Sequence, residues 1–318
     1  MSWLSGKRVL VTGGAGFIGS HLVKRLVESG FDVRVLDNFH SGRKENLTEV
    51  IDRIELIKGD IRNYKTVEKS VKGVDAIFHL AALIDVQESL RKPKTYHEVN
   101  STGTLNLLKA ATKQKITKFI YTSTCAVYGN PIRLPIDENH PLNPLSPYAA
   151  SKLSAENYCK AFSKSYGLKT TILRLFNVYG SNQNTSKYSG VILEFIKRIR
   201  RDKPPIIFGD GNQTRDFIYV EDVIDFLIKA LETDINGVFN IGTGKQTSIN
   251  QLASTLLKIT GKSHLKPIYE KPRPGDIKHS VADISKAVKT FHIKPKTSLE
   301  EGLKIMINSV NNPEYSAI

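Results

Sequence analysis

Short apolar runs alternate with longer amphipathic stretches from Arg8 to about Leu173, a pattern typical of repeated strand–helix units. The apolar runs predict six strands, at residues 8–12, 33–37, 54–58, 76–80, 118–122 and 170–175. The amphipathic stretches predict helices at residues 17–28, 64–71, 102–113 and 148–165. This alternation predicts an α/β fold with a doubly wound parallel sheet.

The pattern changes after Tyr179. Loop-rich sequence at 181–189 precedes a predicted helix at 191–201 and a Pro204-Pro205 turn. We therefore predict two domains, a larger one at 1–178 and a smaller α/β domain at 179–318. Residues 215–231 have the pattern of a strand followed by a helix, and the stretch at about 215–242 is a candidate to return to the main sheet.

Composition narrows the class of protein. The chain has 318 residues, of which 40% are hydrophobic and 24% charged, which excludes disordered and fibrous classes. Its formal net charge of +15 favours anionic partners, including a substrate that carries a diphosphate. The densest basic run, residues 197–201, ends a predicted helix, where cations complement the helix dipole. No nucleic-acid-binding motif accompanies this run, and we predict no nucleic-acid partner.

The chain contains only two cysteines, Cys125 and Cys159, too few for a disulfide framework and without the spacing of a zinc site. We predict no metal site and a reducing, cytoplasmic location. No apolar run reaches the roughly 18 residues of a membrane span, and the first run is too short for a signal peptide. We therefore expect no membrane partner.

A glycine-rich segment, Thr12-Gly13-Gly14-Ala15-Gly16-Phe17-Ile18-Gly19, joins the first predicted strand to the first helix. In that context glycines permit a tight turn and let the backbone approach a pyrophosphate at the positive helix N-terminus. The spacing of Gly13, Gly16 and Gly19 therefore predicts a dinucleotide site.

The ends of the next predicted strands supply further cofactor candidates. Asp37 ends the second strand, where a carboxylate accepts hydrogen bonds from ribose hydroxyls and repels a 2′-phosphate. This favours NAD over NADP, although Arg43 and Lys44 nearby leave NADP open. After the third and fourth strands, Asp60-Ile61 is placed for the adenine and the small residues of Leu80-Ala81-Ala82 for a close approach to the cofactor.

Catalytic candidates follow further along the chain. Tyr148 and Lys152 are four residues apart and share one side of a predicted helix. A neighbouring cation, together with a positive nicotinamide ring, is expected to lower the pKa of the Tyr148 phenol and make it a usable base. The hydroxyl of Thr124 lies just past a strand and is our choice to share the substrate's proton; Ser123 is the alternative.

These motifs together resemble the extended short-chain dehydrogenases, which have a Rossmann-type sheet and a smaller C-terminal substrate-binding α/β domain. The matching segments span nearly the whole chain: TGGAGFIG, Asp37-Asn38, HLAA at 79–82, Asn100, YAASK at 148–152, RLFNVYG at 174–180, Arg215-Asp216-Phe217 and Arg273-Pro274-Gly275-Asp276. Within that superfamily the sequence most resembles UDP-glucose 4-epimerases and their relatives that accept UDP-N-acetylglucosamine.

The resemblance implies an NAD that stays bound and a set of residues around it. Besides Tyr148 and Lys152, we expect the cofactor to be bound by Gly13, Gly16, Phe17, Ile18, Gly19, Asp37, Asn38, Ser41, Gly42, Asp60, Ile61, Leu80, Ala81, Ala82, Asn100, Thr122 and Phe176.

The resemblance also implies a UDP-sugar substrate. Tyr148 and Thr124 would contact its reacting hydroxyl. Asn177, Arg215 and Arg273 would bind the diphosphate, because guanidinium groups make charge-assisted bonds to it. Asp276 would accept from a ribose hydroxyl, and Val191, Ile207 and Phe208 would flank the pyrimidine. Ser280 would lie beside the sugar's 2-substituent, where a small side chain leaves room for an N-acetyl group.

Two neighbours of Thr124 narrow the reaction. Related 4,6-dehydratases carry an Asp-Glu pair at the positions of Cys125 and Ala126, and decarboxylating relatives carry a glutamate at the Ala126 position. Neither residue here can move the extra proton, which favours NAD-dependent 4-epimerisation through a 4-keto intermediate.

Three alternatives are left open: 4-epimerisation of UDP-glucuronate, another nucleotide-sugar reaction of an extended short-chain dehydrogenase, and a non-catalytic NAD sensor. The sensor is disfavoured because it needs none of Tyr148, Lys152 and Thr124. The helices at 102–113 and 148–165 resemble the pair that forms a homodimer interface in this family, and we expect a homodimer.

Overall fold

The computed structural model describes residues 6–183, 190–272 and 277–310. The strands within these ranges are β1 (Arg8–Thr12), β2 (Asp32–Asp37), β3 (Ile54–Lys58), β4 (Ala76–His79), β5 (Lys118–Thr124), β6 (Thr170–Leu175), β7 (Asn177–Tyr179), β8 (Ile206–Phe208), β9 (Thr214–Arg215), β10 (Phe217–Tyr219), β11 (Gly237–Ile241), β12 (Thr247–Ser248) and β13 (Ile268–Glu270).

The α-helices are α1 (Phe17–Glu28), α2 (Tyr64–Val71), α3 (Val86–Arg91), α4 (Pro93–Tyr96), α5 (Gly103–Lys113), α6 (Pro147–Tyr166), α7 (Val191–Arg200), α8 (Val220–Glu232), α9 (Ile249–Ile259), α10 (Ser285–Phe291) and α11 (Leu299–Val310). Two 3₁₀ segments lie at Lys44–Arg53 and Cys125–Tyr128, and a π-helical turn at His97–Thr102. No helix in the described ranges is long and apolar enough to cross a membrane.

The main sheet has seven strands in the order β11-β6-β5-β4-β1-β2-β3. Strands β1 to β6 pair in parallel, and the order reverses at β1, which lies between β4 and β2. Strands β4 and β6 are buried along their whole length because helices cover both faces of a parallel sheet. The predicted α/β doubly wound sheet is confirmed. In such sheets ligands bind at the carboxyl ends of the strands, next to the point of reversal.

The predicted elements either coincide with the observed ones or differ from them by one or two residues at an end. The largest difference is at β5, which continues to Thr124 instead of ending at residue 122. The two added residues pair with β6, Ser123 opposite Arg174 and Thr124 opposite Leu175. This pairing with a distant strand extends β5 and places the Thr124 hydroxyl at its carboxyl end.

By packing, the chain forms two compact units that interleave along the sequence. Within the described ranges, the first unit comprises 6–128, 142–175 and 224–239 and contains β1 to β6. The second unit comprises 129–141, 176–183, 190–223, 240–272 and 277–310. The division into domains at 178/179 stays a prediction.

Asp216 organises the second unit. Its buried carboxylate accepts hydrogen bonds from the backbone N–H groups of Thr243, Gly244 and Ala282, at 2.7, 2.9 and 3.1 Å. Its backbone carbonyl accepts from the N–H of Asn177 at 3.0 Å. Burial raises the pKa of Asp216, and these hydrogen bonds lower it. Asp216 therefore holds together four segments that are distant in sequence, through its carboxylate and its backbone carbonyl.

Candidate active site

The glycine-rich loop after β1 requires its glycines. Gly13 has a φ of +71°, and a Cβ there would lie 2.7 Å from the backbone nitrogen of Ala81. The N–H of Gly16 donates to the Gly13 carbonyl at 3.1 Å. A Cβ on Gly19 would collide with that same carbonyl oxygen. The loop is thus packed against the end of β4 and against the first turn of α1, as the spacing of the glycines predicted.

The N-terminus of α1 suits a pyrophosphate. Gly16 is its N-cap and makes no side-chain cap hydrogen bond, and the first turn contains no acidic residue. The first N–H groups of a helix have no partner inside the helix, and the macrodipole adds partial positive charge there. This end of α1 therefore fits the diphosphate of a dinucleotide.

Asp37 is fixed at the carboxyl end of β2 by the glycine-rich loop. One carboxylate oxygen accepts from the N–H of Ala15 at 2.9 Å and the other from the N–H of Phe39 at 2.8 Å. The following segment is tied to the same loop, because the N–H of Arg43 donates to the Ala15 carbonyl at 3.0 Å. Carboxylate oxygens accept more than one hydrogen bond each, so capacity for ribose hydroxyls is left.

Asn38 and Asp60 come together at the ends of β2 and β3. The Asn38 amide donates to the Asp60 carboxylate at 3.0 Å, and the Arg62 guanidinium bonds it at 2.7 Å. The hydrogen bond from Arg62 lowers the pKa of Asp60 to about 2. The two residues, both predicted to bind the cofactor, are therefore adjacent, and Arg62 balances the negative charge of Asp60.

Buried polar groups hold the end of β4, where Leu80, Ala81 and Ala82 follow. The His79 ring lies between the hydroxyls of Thr12 and Thr104, at 2.7 and 2.9 Å. Burial lowers the pKa of His79 far below its ordinary value, so the ring is neutral. Thr122 donates to the His79 carbonyl at 3.1 Å. These bonds align β1, β4 and β5 at the cofactor end of the sheet.

Asn100 connects the cofactor end of the sheet to the helix that carries Tyr148. Its side chain bonds both backbone groups of Leu83 and donates to the Ser151 hydroxyl, each at 2.9 Å. Ser151 in turn donates to the Tyr148 carbonyl at 2.7 Å. The Asn100 amide is thus engaged within the protein, and its contact with the cofactor stays a prediction.

Tyr148 and Thr124 are brought together by α6 and β5. Ser146 caps α6 through the N–H of Ala149, which starts the helix one residue before Tyr148. The Tyr148 side chain is only 8% exposed and lies near the Thr124 hydroxyl. Burial raises the pKa of Tyr148 to about 12, while the Thr124 hydroxyl lowers it. Burial therefore has the larger effect among the groups of the polypeptide, and the lowering expected from Lys152 together with a nicotinamide ring stays a prediction.

Lys152 lies one turn further along α6 and is almost wholly buried. Its ammonium donates to the Thr122 carbonyl at 2.7 Å and lies 4.4 Å from the ring centroid of Tyr121. Burial lowers the pKa of Lys152 to about 7. Lys152 and Thr122, both predicted to contact the cofactor, are therefore in direct contact at the carboxyl end of β5.

Sequence reasoning missed the partner of Ser123. The Ser123 hydroxyl donates to the buried Glu156 carboxylate at 2.5 Å, and Glu156 forms an ion pair with Arg174 at 2.7 Å. The Ser123 hydroxyl is thus bonded to Glu156, which disfavours Ser123 as the alternative to Thr124. The available signal was spacing, since Glu156 follows Lys152 by four residues and lies on the same helix side.

The predicted substrate residues of the second unit are held by one short strand. Besides the bond between Asn177 and Asp216, Arg215 donates from its guanidinium to the Thr214 carbonyl at 2.8 Å. The N–H of Ser280 donates to that same carbonyl at 3.2 Å. Asn177, Arg215 and Ser280 are therefore attached to residues 214–216. Arg273 and Asp276 lie outside the described residues.

The predicted pyrimidine residues differ in exposure. Ile207 has no exposed surface, so it could touch a base only after a rearrangement of its surroundings. Val191, at the start of α7, and Phe208, at the end of β8, are partly exposed. Of the three predicted residues, Val191 and Phe208 have exposed surface that a base can contact. Phe176, predicted beside the cofactor, is buried, and its N–H donates to the Ile241 carbonyl at 2.9 Å.

A doubly wound sheet whose first strand leads through a glycine-rich loop into an uncapped helix defines a dinucleotide-binding protein. A sequence profile of the NAD dependent epimerase/dehydratase family matches residues 9–242. The chain belongs to this family, and the resemblance to extended short-chain dehydrogenases is confirmed.

Relatives along nearly the whole chain are nucleotide-sugar enzymes. UDP-glucose 4-epimerase of Mycolicibacterium smegmatis is 37% identical over 315 residues, covering 96% of this chain and 99% of the relative. The structure of UDP-N-acetylglucosamine 4-epimerase from Methanobrevibacter ruminantium, in complex with UDP-N-acetylmuramic acid, has a TM-score of 0.92 and 41% identity, with 96% and 98% of the two chains covered.

A third relative was solved with its cofactor. The structure of UDP-glucuronic acid 4-epimerase from Bacillus cereus, with UDP-glucuronic acid and NAD, has a TM-score of 0.89 and 38% identity, with 95% and 98% of the two chains covered. NAD is thereby confirmed as the cofactor. The three relatives act on different sugars, so likeness alone selects nucleotide-sugar chemistry and no particular sugar.

Proposed function

We propose that this protein catalyses the NAD-dependent 4-epimerisation of a UDP-hexose, interconverting UDP-glucose and UDP-galactose and also their N-acetylhexosamine forms. The reaction passes through a transient 4-keto sugar. The proposal is supported by the nearness of Thr124 to the buried Tyr148, whose pKa it lowers, and by the family to which the chain belongs.

The observation that carries the proposal is the identity of the residues next to Thr124. Cys125 and Ala126 begin the short 3₁₀ segment that follows β5, and the Cys125 thiol lies close enough to Tyr148 to raise its pKa. Eliminating water from a sugar requires an added acid and base. A thiol and a methyl group supply no such carboxyl groups at this point. The set of Tyr148, Thr124 and Lys152 is sufficient for epimerisation.

Each of the three residues has a defined task. Tyr148 removes the proton of the sugar's 4-hydroxyl and returns it after the sugar has turned over. The Thr124 hydroxyl bonds the same substrate oxygen and stabilises the charge that develops on it. Lys152 holds the nicotinamide ribose and favours the phenolate of Tyr148. NAD, when bound, supplies hydride acceptance from carbon 4 and hydride return to it.

NAD would be held by the segments already at the carboxyl ends of the strands. The N-terminus of α1 would receive the pyrophosphate, Asp37 the adenosine ribose, and the Asn38–Asp60 pair the adenine edge. In the second unit, Asn177, Arg215 and Arg273 would bind the substrate diphosphate, where a guanidinium group gives both charge and orientation.

The test is incubation of the purified protein with UDP-glucose, UDP-N-acetylglucosamine, UDP-glucuronic acid and dTDP-glucose, followed by identification of the products by NMR. We expect the 4-epimers of the first two and neither loss of carbon dioxide nor a 4-keto-6-deoxy sugar. Turnover of UDP-glucuronic acid alone would contradict the hexose substrate and indicate that the protein epimerises a UDP-uronic acid. Bound NAD without turnover of any nucleotide sugar would favour a sensor instead.

We also propose that the protein is a homodimer that associates through α5 and α6. On α6, Tyr158 and Tyr166 are 37% and 62% exposed, and on the adjacent α3 Leu90 is 56% exposed. Apolar side chains gathered on neighbouring helices are typical of a subunit interface. Light scattering coupled to size-exclusion chromatography tests this, with a mass twice that of the chain expected and a monomer contradicting it.

A further inference from the structure

Glu156 and Arg174 form an ion pair that is almost completely buried in the first unit. Glu156 has no exposed surface and Arg174 is 1% exposed. The guanidinium donates to the carboxylate from two nitrogens, from Nε to Oε1 at 2.9 Å and from Nη2 to Oε2 at 2.7 Å. A buried ion pair is weak support for stability, because desolvating two charges offsets their attraction. The neighbours of the pair indicate another role.

The pair connects α6 to both ends of the stretch from Ser123, near the end of β5, to Tyr128. At one end, Ser123 donates to Glu156 and immediately precedes Thr124. At the other end, Arg174 donates from Nη1 to the Tyr128 hydroxyl at 2.8 Å and stacks 4.8 Å from its ring centroid. The stretch from Ser123 to Tyr128, which contains Thr124, is therefore bonded at one end to Glu156 on α6 and at the other end to Arg174 on β6.

Glu156 also acts on Lys152 through its charge. Among the described residues, the ionisable groups that act on or face the Lys152 ammonium are Glu156 and Cys159 on α6, Tyr121 on β5 and His79 on β4. His79 is neutral, and burial raises the pKa values of Cys159 and Tyr121, so both are neutral as well. Glu156 is the carboxylate of this group, and its charge raises the pKa of Lys152 against the effect of burial.

We propose that Glu156 is a positioning residue for the epimerisation, which fixes Thr124 against Tyr148 through Ser123 and keeps the Lys152 ammonium charged. Arg174 is its buried counterion, beside the more exposed Lys160 at 3.7 Å, and sets how much negative charge reaches Lys152. Glu156 touches neither the substrate nor the cofactor in this role. The catalytic part of the inference rests on the proposed function, and the electrostatic part does not.

The electrostatic part is tested by titrating Lys152 directly. The holoenzyme is labelled with ¹³Cε-lysine, and the Lys152 signal is assigned from its loss in Lys152→Met. In Glu156→Gln the pKa of Lys152 is expected to fall by about 1, because the carboxylate is lost and the buried guanidinium is left uncompensated. In Arg174→Met it is expected to rise, because the carboxylate loses its buried counterion and keeps only the more distant Lys160, at 3.7 Å. The double variant is expected to lie between them.

The catalytic part is tested by kinetics on the same proteins. The charged form of Lys152 is the active one, so activity is lost as the pH rises through its pKa. The alkaline limb of the kcat profile is therefore expected to move to lower pH in Glu156→Gln and to higher pH in Arg174→Met. Ser123→Ala is expected to lower kcat about tenfold with little change in KM or in the Lys152 titration, since it loosens Thr124 without altering charge.

Glu68→Gln is the matched control, because Glu68 is also on a helix of the first unit and pairs with Lys113 at the surface. It is expected to change neither the titration nor the profile.

Shifts of the Lys152 pKa in the same direction in Glu156→Gln and Arg174→Met, or no shift in either, would overturn the inference. A purely structural ion pair would not move this pKa in opposite directions in the two variants. If one single variant does not fold, the other single variant and Ser123→Ala decide: a Lys152 pKa that does not move in the expected direction in the first, or a normal kcat in the second, overturns the inference. If neither single variant folds, a normal kcat in Ser123→Ala overturns it. The titration needs no turnover, so opposite shifts in a protein that epimerises nothing would reject only the proposed function.

Discussion

At the scale of single residues, the phenol of Tyr148 carries the proposed proton transfer although burial opposes its ionisation. Tyr148→Phe removes the hydroxyl and keeps the ring that packs beside Thr124. We expect turnover of the best substrate to fall about 10³-fold, within the range for general acid–base catalysis, with NAD content and Tm near the wild type. Tyr158→Phe, on the exposed side of the same helix, is the control. Wild-type turnover in Tyr148→Phe would reject Tyr148 as the base.

Ser280 is expected to set the size of the sugar's 2-substituent. It is 5% exposed and attached through its N–H to the strand that carries Arg215. We expect Ser280→Tyr to lower kcat/KM for UDP-N-acetylglucosamine at least about tenfold more than for UDP-glucose, because a larger side chain fills the space of the N-acetyl group. Ser285→Tyr, at an exposed position of α10, serves as control. Equal losses on both substrates would place Ser280 outside the sugar pocket.

At the scale of elements, the junction of β1 and α1 determines cofactor binding. Alanine is a better helix former than glycine, so Gly19→Ala should favour α1 taken alone. In the structure the added Cβ collides with the Gly13 carbonyl and displaces the loop. We expect at least about a tenfold weaker affinity for NAD, measured by calorimetry.

The control for this prediction is Gly30→Ala. Gly30 has a φ of +80°, and a Cβ added there would meet no atom within 4 Å, so alanine costs about 1 kcal/mol of backbone strain without touching the loop. We expect Gly30→Ala to lower the Tm and retain NAD. Loss of NAD in both variants would mean that general destabilisation, and not the loop, determines binding.

At the scale of the whole molecule, the burial of Lys152 links stability to pH. Its pKa is about 7 in the folded chain against 10.5 for an ordinary lysine, so the unfolded chain binds more protons between these values. The free energy of unfolding therefore rises with pH in this window, by at most about 1.4 kcal/mol per pH unit. Lys152→Met lacks this contribution, whereas Lys118, with a pKa of about 8, is present in both proteins.

We expect the wild type to gain stability relative to Lys152→Met as the pH rises from 7 to 9, measured by denaturant unfolding at each pH. The sign follows from the lowered pKa of a basic group, because burial penalises its charged form. A difference in stability that is constant over this range would mean that the Lys152 ammonium is not penalised by its surroundings.

Local patterns predicted most of the elements of the first unit. The starts and ends of β1, β3, β6, α1 and α2 were predicted without error, because each depends on a run of apolar residues, a helical period or a cap close by in sequence. The end of β5 was not, since Ser123 and Thr124 are extended only through pairing with β6. The π-helical turn at His97–Thr102 likewise has no signal in the periodicity.

The sequence by itself determined the class of fold, the dinucleotide loop, the cofactor and the candidate residues, because spacing along one strand or helix sets which side chains share a face. Only the tertiary structure decided their environments. It showed that burial raises the pKa of Tyr148, that Ser123 is bonded to Glu156, and that Asp216 gathers Asn177 and the segment of Ser280 around β9. These facts depend on solvent exclusion and on contacts between residues far apart in the chain, which no local pattern encodes.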